Sequence, residues 1–353
     1  MKFEDKILKG ISATKTRRRD IFSCSNPFHI KTKVKRKTKR RRRKGERRKG
    51  ERRVYKCLPL DHKDAKKQML RLLERPRNWD CVKGPKQKLG NCWFNVMFMS
   101  LFVSDYGFTF TKPLRRLMIR GKRGLSGKKN IHPLLRHTFL KFNACVQASI
   151  DCNSILSNAL LKDTNTIIQD ISNVIERKDY TIPKVDEAGN PMDYYAVLFS
   201  YLLDTTIYFD QFDWKNENTH MLFTESLSKY YGVIDDKIII QSDVFVFGYD
   251  FTNSNDHKVT SFVNNGRTYI LDSAIISNPE HFISFLTIRG KEYAYDGESY
   301  KKVMPMKWKH RIQEDKNFYL EEKEDDDEDD IIPYNFAIGL QYYFYFVKGT
   351  NVV

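Results

Sequence analysis

Cys92 is the residue with the clearest chemical potential in this sequence. It follows a Leu-Gly-Asn turn and begins the apolar stretch CWFNVMFMSLF, whose large apolar residues recur at helical spacing. This pattern predicts a buried helix that begins at Cys92. The N-terminus of a helix is electropositive, which is the setting that thiolate chemistry needs. Free cysteines are also often simply buried, so placement alone leaves Cys92 open between a nucleophile and a core residue.

A cysteine nucleophile needs a base and a group that orients the base, and two His–Asp pairs have suitable spacing. His257 begins a segment that ends at Asp272, and His281 begins a segment that ends at Asp296. Each segment has the alternation and central turn of a β-hairpin. A hairpin would return the aspartate beside the histidine, so both pairs permit a His–Asp hydrogen bond.

The elements that must position these residues change character along the chain. Residues 113–178 contain several helix patterns, and residues 192–204, MDYYAVLFSYLLD, form another with one apolar face. After about residue 235 the segments are β-branched and aromatic and alternate with turn signals. Helices followed by antiparallel strands predict an α+β fold, with a helical lobe at about 80–230 and a sheet lobe at about 235–350.

Charge is concentrated in two runs. The formal net charge is +18, and residues 31–53 contribute +14 of it, with 16 Lys/Arg against two Glu. Residues 1–54 are therefore expected to be a disordered basic tail that contacts DNA, RNA or an import receptor, preceding a folded domain at 55–353. Residues 321–330, EEKEDDDEDD, read as an acidic insertion that is too charged for a core.

The six cysteines are scattered without a Cys-x-x-Cys pair, and no secretory leader is evident, so we expect reduced thiols and a nuclear or cytoplasmic location. No stretch approaches the roughly 20 apolar residues of a membrane span. The histidines do not lie at helical metal-ligand spacing from one another or from a cysteine. We therefore expect neither a metal site nor a cofactor.

Four segments together resemble the ubiquitin-specific proteases, which are papain-like deubiquitinating enzymes. LGNCWFNVMFMSLF is similar to the cysteine box of that family, and MDYYAVLFSYLLD resembles the helix that follows it. YILDSAII followed by HFISFLTIRGKEYAYDG resembles the histidine box, and QYYFYFVKG resembles the closing strand. The order and spacing agree over about residues 80–350, with an insertion around 309–335.

The resemblance implies a role for each site residue. Cys92 would be the nucleophile, His281 the general base and acid, and Asp296 the residue that orients His281. His257 and Asp272 do not fit the order of the histidine box and are the alternative pair. Gln87 or Asn91 would help to stabilise the oxyanion together with the Cys92 backbone N–H.

The sequence also departs from the family pattern at three places. Asn91 stands directly before Cys92, where the family usually has a threonine between the asparagine and the cysteine. Glu280 precedes His281 where the family often has glycine. The Cys-x-x-Cys pairs of the zinc-bearing fingers are missing, so that subdomain is expected to be reduced or absent.

The resemblance implies a thiol-dependent deubiquitinase that hydrolyses bonds after the C-terminal glycine of ubiquitin or a ubiquitin-like protein. A compact core without fingers, joined to a basic tail, also resembles divergent members from large DNA viruses. Two alternatives stay open at this point. One is a cysteine peptidase that processes a viral or host precursor, and the other is an inactive protein that binds ubiquitin or nucleic acid.

Overall fold

The chain folds into a helical part followed by an antiparallel sheet, as the α+β prediction requires. The computed structural model describes residues 24, 29–36, 52–74, 82–124, 126–151, 160–162, 164–175, 183–185, 187, 189–204, 244–249, 258–264, 266–298, 303–320 and 332–349. Within these ranges seven helices are assigned. They are α1 (Lys63–Leu73), α2 (Cys92–Phe102), α3 (Asp105–Phe110), α4 (Lys112–Arg120), α5 (Pro133–Asp151), α6 (Asn165–Ser172) and α7 (Pro191–Leu203).

Helix α2 is the central helix of the molecule. It begins at Cys92, as predicted, and each of its eleven residues is buried, which is typical of a helix surrounded by other elements rather than of a surface helix. Helix α7 packs beside it and ends at Asp204, whose left-handed conformation (φ 59°) terminates the helix. The aromatic residues of α2 and α7 therefore form the centre of the helical core.

The strands follow the predicted hairpins. Two short strands, β3 (Lys122–Arg123) and β4 (Lys129–Asn130), pair with each other, and the later strands are β5 (Val244–Tyr249), β6 (Ser261–Asn264), β7 (Arg267–Ser277), β8 (Phe282–Ile288), β9 (Lys291–Tyr295), β10 (Met304–Pro305), β11 (Asn317–Phe318), β12 (Tyr334–Asn335) and β13 (Gln341–Val347). The main sheet has the order β10-β9-β8-β7-β13-β5, with β6 paired to β7, and its ladders are antiparallel. Arg289 and Gly290 join β8 to β9 with positive φ angles, as a tight hairpin turn requires.

Both faces of this sheet are covered, which explains why its central strands are apolar throughout. Alternate residues of β13 enter different cores: Tyr342, Phe344 and Phe346 face the helices, whereas Tyr343, Tyr345 and Val347 face the opposite side. That second core is closed by residues of 308–318 and 334–336. The segment expected to be an insertion at 309–335 thus contributes a core layer; its acidic run, 321–330, lies outside the described residues.

The prediction of a disordered tail through residue 54 is wrong for the parts that the structure describes. Strand β1 (His29–Arg36) pairs antiparallel with β2 (Arg52–Pro59) along their whole length. The hairpin packs on α1, and Ile30 is buried in the main core together with Met69 of that helix. The buried side chain of Ile30 thus anchors β1 to the core. The high content of Lys and Arg in this segment gave no indication of such a contact. The rest of residues 1–54, apart from Cys24, lies outside the described residues.

The expectation that the cysteines are reduced is wrong for one pair. Cys24 and Cys57 form a disulfide that joins the chain before β1 to strand β2. Cys92 and Cys145 are buried and are not in a disulfide. Cys81 and Cys152 lie outside the described residues. In the ranges that the structure describes, no helix combines the length and the apolar character needed to cross a membrane.

Candidate active site

His281 and Asp296 form a buried pair at the edge of the main sheet. His281 directly precedes β8, and Asp296 directly follows β9, so the β8–β9 hairpin brings them together as predicted. His281 Nε2 lies 2.8 Å from Asp296 Oδ1, and the backbone N–H of Glu298 also donates to that oxygen over 2.8 Å. An ionised carboxylate only accepts hydrogen bonds, so Asp296 fixes Nε2 of the imidazole as the donor. Nδ1 is left to face other groups.

Cys92 contacts the same imidazole. Burial disfavours the charged imidazole, but hydrogen bonds to Asp296 and to the Cys92 thiol, together with their negative charges, outweigh it and raise the pKa of His281 to about 10. Because Nε2 is held by Asp296, the nitrogen that serves Cys92 is Nδ1. The carboxylate of Glu298 is 4.0 Å from Nδ1 at the solvent side. The arrangement favours the protonated form of His281 beside Cys92.

Helix α2 presents its N-terminus at Cys92. Its first turn contains no acidic residue, and no side chain caps it. The first backbone N–H groups of a helix lack partners within the helix, so this end can stabilise a thiolate or an oxyanion. Cys92 is only 8% exposed and His281 is also 8% exposed, so little of either residue is accessible to solvent.

The side chain of Asn91 is fully committed to internal hydrogen bonds. Its Oδ1 accepts from the backbone N–H of Lys88 (3.1 Å) and from Nδ2 of Asn95 (3.0 Å). Its Nδ2 donates to Oγ1 of Thr164 (3.1 Å) and to Oδ1 of Asn165. Asn91 is 0% exposed. It therefore ties the start of α2 to the start of α6 and has no amide hydrogen left for a substrate.

The turn that Asn91 holds is strained. Leu89, just before it, has φ 61°, a left-handed conformation that costs a non-glycine residue about 1–3 kcal/mol. Leu89 is also 67% exposed. The Lys88 N–H bond to Asn91 and the Asn91 N–H bond to the Leu89 carbonyl hold the turn closed. The Asn91 network thus keeps the approach to Cys92 in one conformation.

The side chain of Gln87 differs from that of Asn91, because its amide oxygen is not hydrogen-bonded within the described residues. The backbone N–H of Gln87 donates to the Gly297 carbonyl over 2.6 Å, which places it beside Asp296. Its side-chain Oε1 is buried and has no hydrogen-bond partner among the described residues. The sequence left Gln87 and Asn91 as equal candidates for oxyanion stabilisation. The hydrogen bonds of Asn91 leave Gln87 as the remaining candidate, which would donate through its NH₂ group rather than through Oε1.

Tyr295 is a site residue that the sequence did not single out. Its hydroxyl donates a short hydrogen bond to the Pro85 carbonyl, and its ring fills the space beside Gly84, where an added Cβ would lie 1.8 Å from a ring carbon. Burial, reinforced by the charges of Asp296 and Cys92, raises the pKa of Tyr295 well above its usual value. Tyr295 thus connects the end of β9 to the segment that carries Gln87. The only sequence signal was its position next to Asp296.

The alternative pair is not assembled in the described residues. Asp272 is 1% exposed, and its Oδ2 accepts the backbone N–H groups of Tyr106 (2.9 Å) and Gly107 (3.1 Å) in the first turn of α3. Burial raises the pKa of Asp272 to about 6. His257 lies outside the described residues. Asp272 thus holds a helix against the sheet.

A β-bulge explains the orientation of Asp272. In the ladder between β7 and β13, Leu271 pairs with Tyr345 and Ser273 pairs with Phe344, so Asp272 is an extra residue without a partner on β13. A bulge bends the strand and changes the side to which its residues point. The described residues contain no group of three or more His, Cys, Asp or Glu side chains that could hold a metal ion.

Comparisons with known proteins add no relative to this description. No protein-family model matches the chain, and no curated protein matches it in sequence.

Proposed function

We propose that this protein is a papain-like cysteine peptidase that hydrolyses the bond after the C-terminal glycine of ubiquitin or a ubiquitin-like protein. The observation that carries the reaction type is the contact between His281 Nε2 and Asp296 Oδ1 at 2.8 Å, with Cys92 hydrogen-bonded to the same imidazole. This is the relation of nucleophile, base and orienting group that thiol hydrolases use.

In the proposed reaction, the thiolate of Cys92 attacks the carbonyl carbon of the substrate glycine. The negative charge that develops on the carbonyl oxygen is stabilised by the Cys92 backbone N–H and the side-chain amide of Gln87. The imidazolium of His281 donates its proton to the leaving amine, and Asp296 holds the ring in place. Water then enters, His281 removes its proton, and the thioester is hydrolysed to a free carboxylate and the Cys92 thiol.

The substrate class is supported by two arguments. The first is the resemblance of four segments to the boxes of the ubiquitin-specific proteases, in their order along the chain. The second is access: Cys92 and His281 each expose 8% of their surface. A residue that reaches the little-exposed Cys92 is best accommodated when it has no side chain, and glycine is the residue that meets this condition.

The proposal is tested with ubiquitin whose C-terminal glycine is joined to a fluorophore by an amide bond. We expect the full chain to release the fluorophore, and Cys92→Ala to reduce the rate by at least about 10⁴-fold, as for other nucleophile removals. A ubiquitin with a C-terminal electrophile should form a covalent adduct with the wild type and not with Cys92→Ala.

The outcomes separate the proposal from its alternatives. Alkylation of Cys92 by iodoacetamide that depends on His281, without any reaction with ubiquitin probes, would retain the thiol chemistry and reject the substrate; a precursor-processing peptidase would then be the better assignment. Slow alkylation that is unchanged in His281→Ala, together with no turnover, would reject catalysis and leave a binding protein.

A further inference from the structure

Residues 61–353 are divided into a basic and an acidic part, although their total charge is small. Residues 61–141 contain 19 Lys/Arg against five Asp/Glu, a net +14, whereas residues 142–353 contain 19 Lys/Arg against 34 Asp/Glu, a net −15. A strong asymmetry of charge between parts of a chain indicates an electrostatic partner for one of them. The basic part includes α1 and α4, which pack against each other.

Helix α1 presents a row of cations to solvent. Lys63, Lys67 and Arg71 are exposed and follow one another at intervals of four residues, so they lie on one face and span about 12 Å along the axis. The opposite face, which includes Ala65 and Met69, is buried in the core. The row is therefore held by a folded helix rather than by a mobile segment.

The acidic groups around this row do not neutralise it. Glu74, at the C-terminal end of α1, is bound by Arg116 of α4 with 2.7 Å between Nη2 and Oε1, and this hydrogen bond and the neighbouring cations lower the pKa of Glu74. Lys112 of α4 also acts on the same carboxylate. Asp61 and Asp64 lie at the other end of α1, where carboxylates stabilise the helix N-terminus.

The β1–β2 hairpin extends the same basic surface. It packs on α1, and its exposed Lys56 belongs to strand β2. Towards the turn, Lys35 pairs in register with Arg53, and Arg36 pairs with Arg52. The hairpin thus adds basic residues next to the cationic row of α1, with Lys56 exposed beside it.

We propose that the exposed face of α1, with Lys56 of the adjoining strand β2, forms a binding surface for the phosphate backbone of double-stranded nucleic acid. A duplex carries one negative charge per about 1.7 Å of its axis, so a row of about 12 Å can meet several phosphates at once. An import receptor is the weaker partner, because a row fixed on a helix and packed on a core cannot be drawn out as an extended peptide. This surface is independent of the proposed peptidase activity.

Binding is measured by fluorescence anisotropy of a labelled 25-base-pair duplex with the full chain at several salt concentrations. We expect Lys63→Gln/Lys67→Gln/Arg71→Gln to lower the salt slope by about 2.7, so that between 50 and 200 mM salt the wild type loses about 40-fold more affinity than the variant. The matched control is Lys291→Gln/Lys316→Gln/Lys348→Gln, which removes the same charge from exposed positions of the sheet part. Equal slopes for the two triple variants would overturn the proposal.

A second readout separates this surface from the adjoining basic run. Lys63 and Lys67 should be protected from acetylation by an N-hydroxysuccinimide ester when duplex is bound, as measured by mass spectrometry, whereas Lys291 and Lys316 should react equally with and without duplex. Equal labelling of Lys63 and Lys67 in both conditions would reject the site. Displacement of the duplex by a polyglutamate of equal charge and equal concentration would assign the surface to an acidic protein instead. Neither result bears on cleavage of ubiquitin.

Discussion

Two buried aspartates of neighbouring hairpins have opposite roles in this molecule. Asp296 accepts from His281, a side chain that can exchange a proton, whereas Asp272 accepts from two backbone N–H groups that cannot. Both carboxylates are under 10% exposed. Burial therefore does not distinguish the two carboxylates, whereas the presence of an imidazole among the donors of Asp296 does.

The largest expected difference is in activity. If the proposed peptidase chemistry is correct, Asp296→Asn should lower kcat by roughly 10²–10⁴-fold, because the amide can stabilise the wrong tautomer of His281. Asp272→Asn keeps an acceptor for both N–H groups and should change kcat less than about threefold. Fluorophore release from a ubiquitin amide measures both. Similar losses of kcat in Asp296→Asn and Asp272→Asn would contradict the proposed difference between the two aspartates.

The next effect concerns Gln87 and Asn91. Gln87→Ala should lower kcat by about 10²–10³-fold with little change in stability, as expected when one oxyanion donor is removed. Asn91→Ala breaks the hydrogen bonds to Lys88, Asn95, Thr164 and Asn165 and should lower the free energy of unfolding by about 2–4 kcal/mol. Urea denaturation and steady-state kinetics on both variants give the comparison. Loss of activity without loss of stability in Asn91→Ala would contradict it.

Removal of the Asp272 carboxylate should act on stability. Asp272→Ala leaves the N–H groups of Tyr106 and Gly107 without their acceptor and should cost about 2 kcal/mol, because the lost hydrogen bonds are partly offset by relief of a buried charge. The urea midpoint measures this loss, and Asp272→Asn is the matched control. A variant as stable as the wild type would mean that α3 does not depend on this contact.

His281 and Asp272 should also affect the stability of the protein in different pH ranges. His281 has its pKa raised from 6.5 to about 10, so the folded protein keeps a proton that the unfolded chain loses, and its contribution to stability declines as pH rises from about 6.5 to about 10. Asp272 has its pKa raised from 3.8 to about 6, so its contribution declines as pH rises from about 4 to about 6.

Urea midpoints of the wild type, His281→Gln and Asp272→Asn across these ranges test the assignment. Each variant should lose the pH dependence in its own window and retain it in the other. Subtracting variant from wild type removes the contribution of other titrating groups, such as Lys258, whose pKa burial lowers to about 8. A His281 variant that changes the pH dependence only in the acidic window would refute the assignment of the basic window to His281.

The smallest effect belongs to Tyr295. Tyr295→Phe keeps the ring beside Gly84 and removes the hydroxyl that binds the Pro85 carbonyl, so kcat should fall by about 3–10-fold while KM stays unchanged, a change of about 1 kcal/mol. Gly84→Ala is the steric counterpart and should destabilise the fold, because its Cβ would overlap the ring. An unchanged kcat in Tyr295→Phe would mean that this bond does not position Gln87.

The parts of the fold that follow from local pattern could be predicted. The helix that begins at Cys92, the β8–β9 hairpin and the antiparallel sheet all follow from periodicity and turn residues, and they suffice to bring His281 to Asp296. The bulge at Asp272 has no such signal, because it depends on the register with β13, more than 70 residues away. The bond from Tyr295 to Pro85 spans 210 residues and is equally invisible to local pattern.

In the N-terminal region the prediction from amino-acid composition was wrong for the residues that the structure describes. The density of Lys and Arg predicts disorder, yet a few residues such as Ile30 and Leu60 are enough to dock the β1–β2 hairpin onto α1. The choice between Gln87 and Asn91 also could not be predicted from local pattern. It depends on the hydrogen bonds that the Asn91 side-chain amide donates to Thr164 and Asn165, which are more than 70 residues away. Sequence pattern predicted which residues come together at Cys92, and the three-dimensional contacts showed which of their side chains are occupied by internal hydrogen bonds.

The disulfide between Cys24 and Cys57 encloses the whole basic run at 31–53 within a covalent ring. While that bond is intact, a protease that cuts the run once opens the ring without releasing either piece, and the cations stay attached to the folded domain. Under reducing conditions the same cut leaves the residues before it without a covalent link to the domain, whereas the part of the run after the cut stays attached. The oxidation state of one cysteine pair therefore decides whether a single cleavage within the run breaks the covalent continuity of the chain.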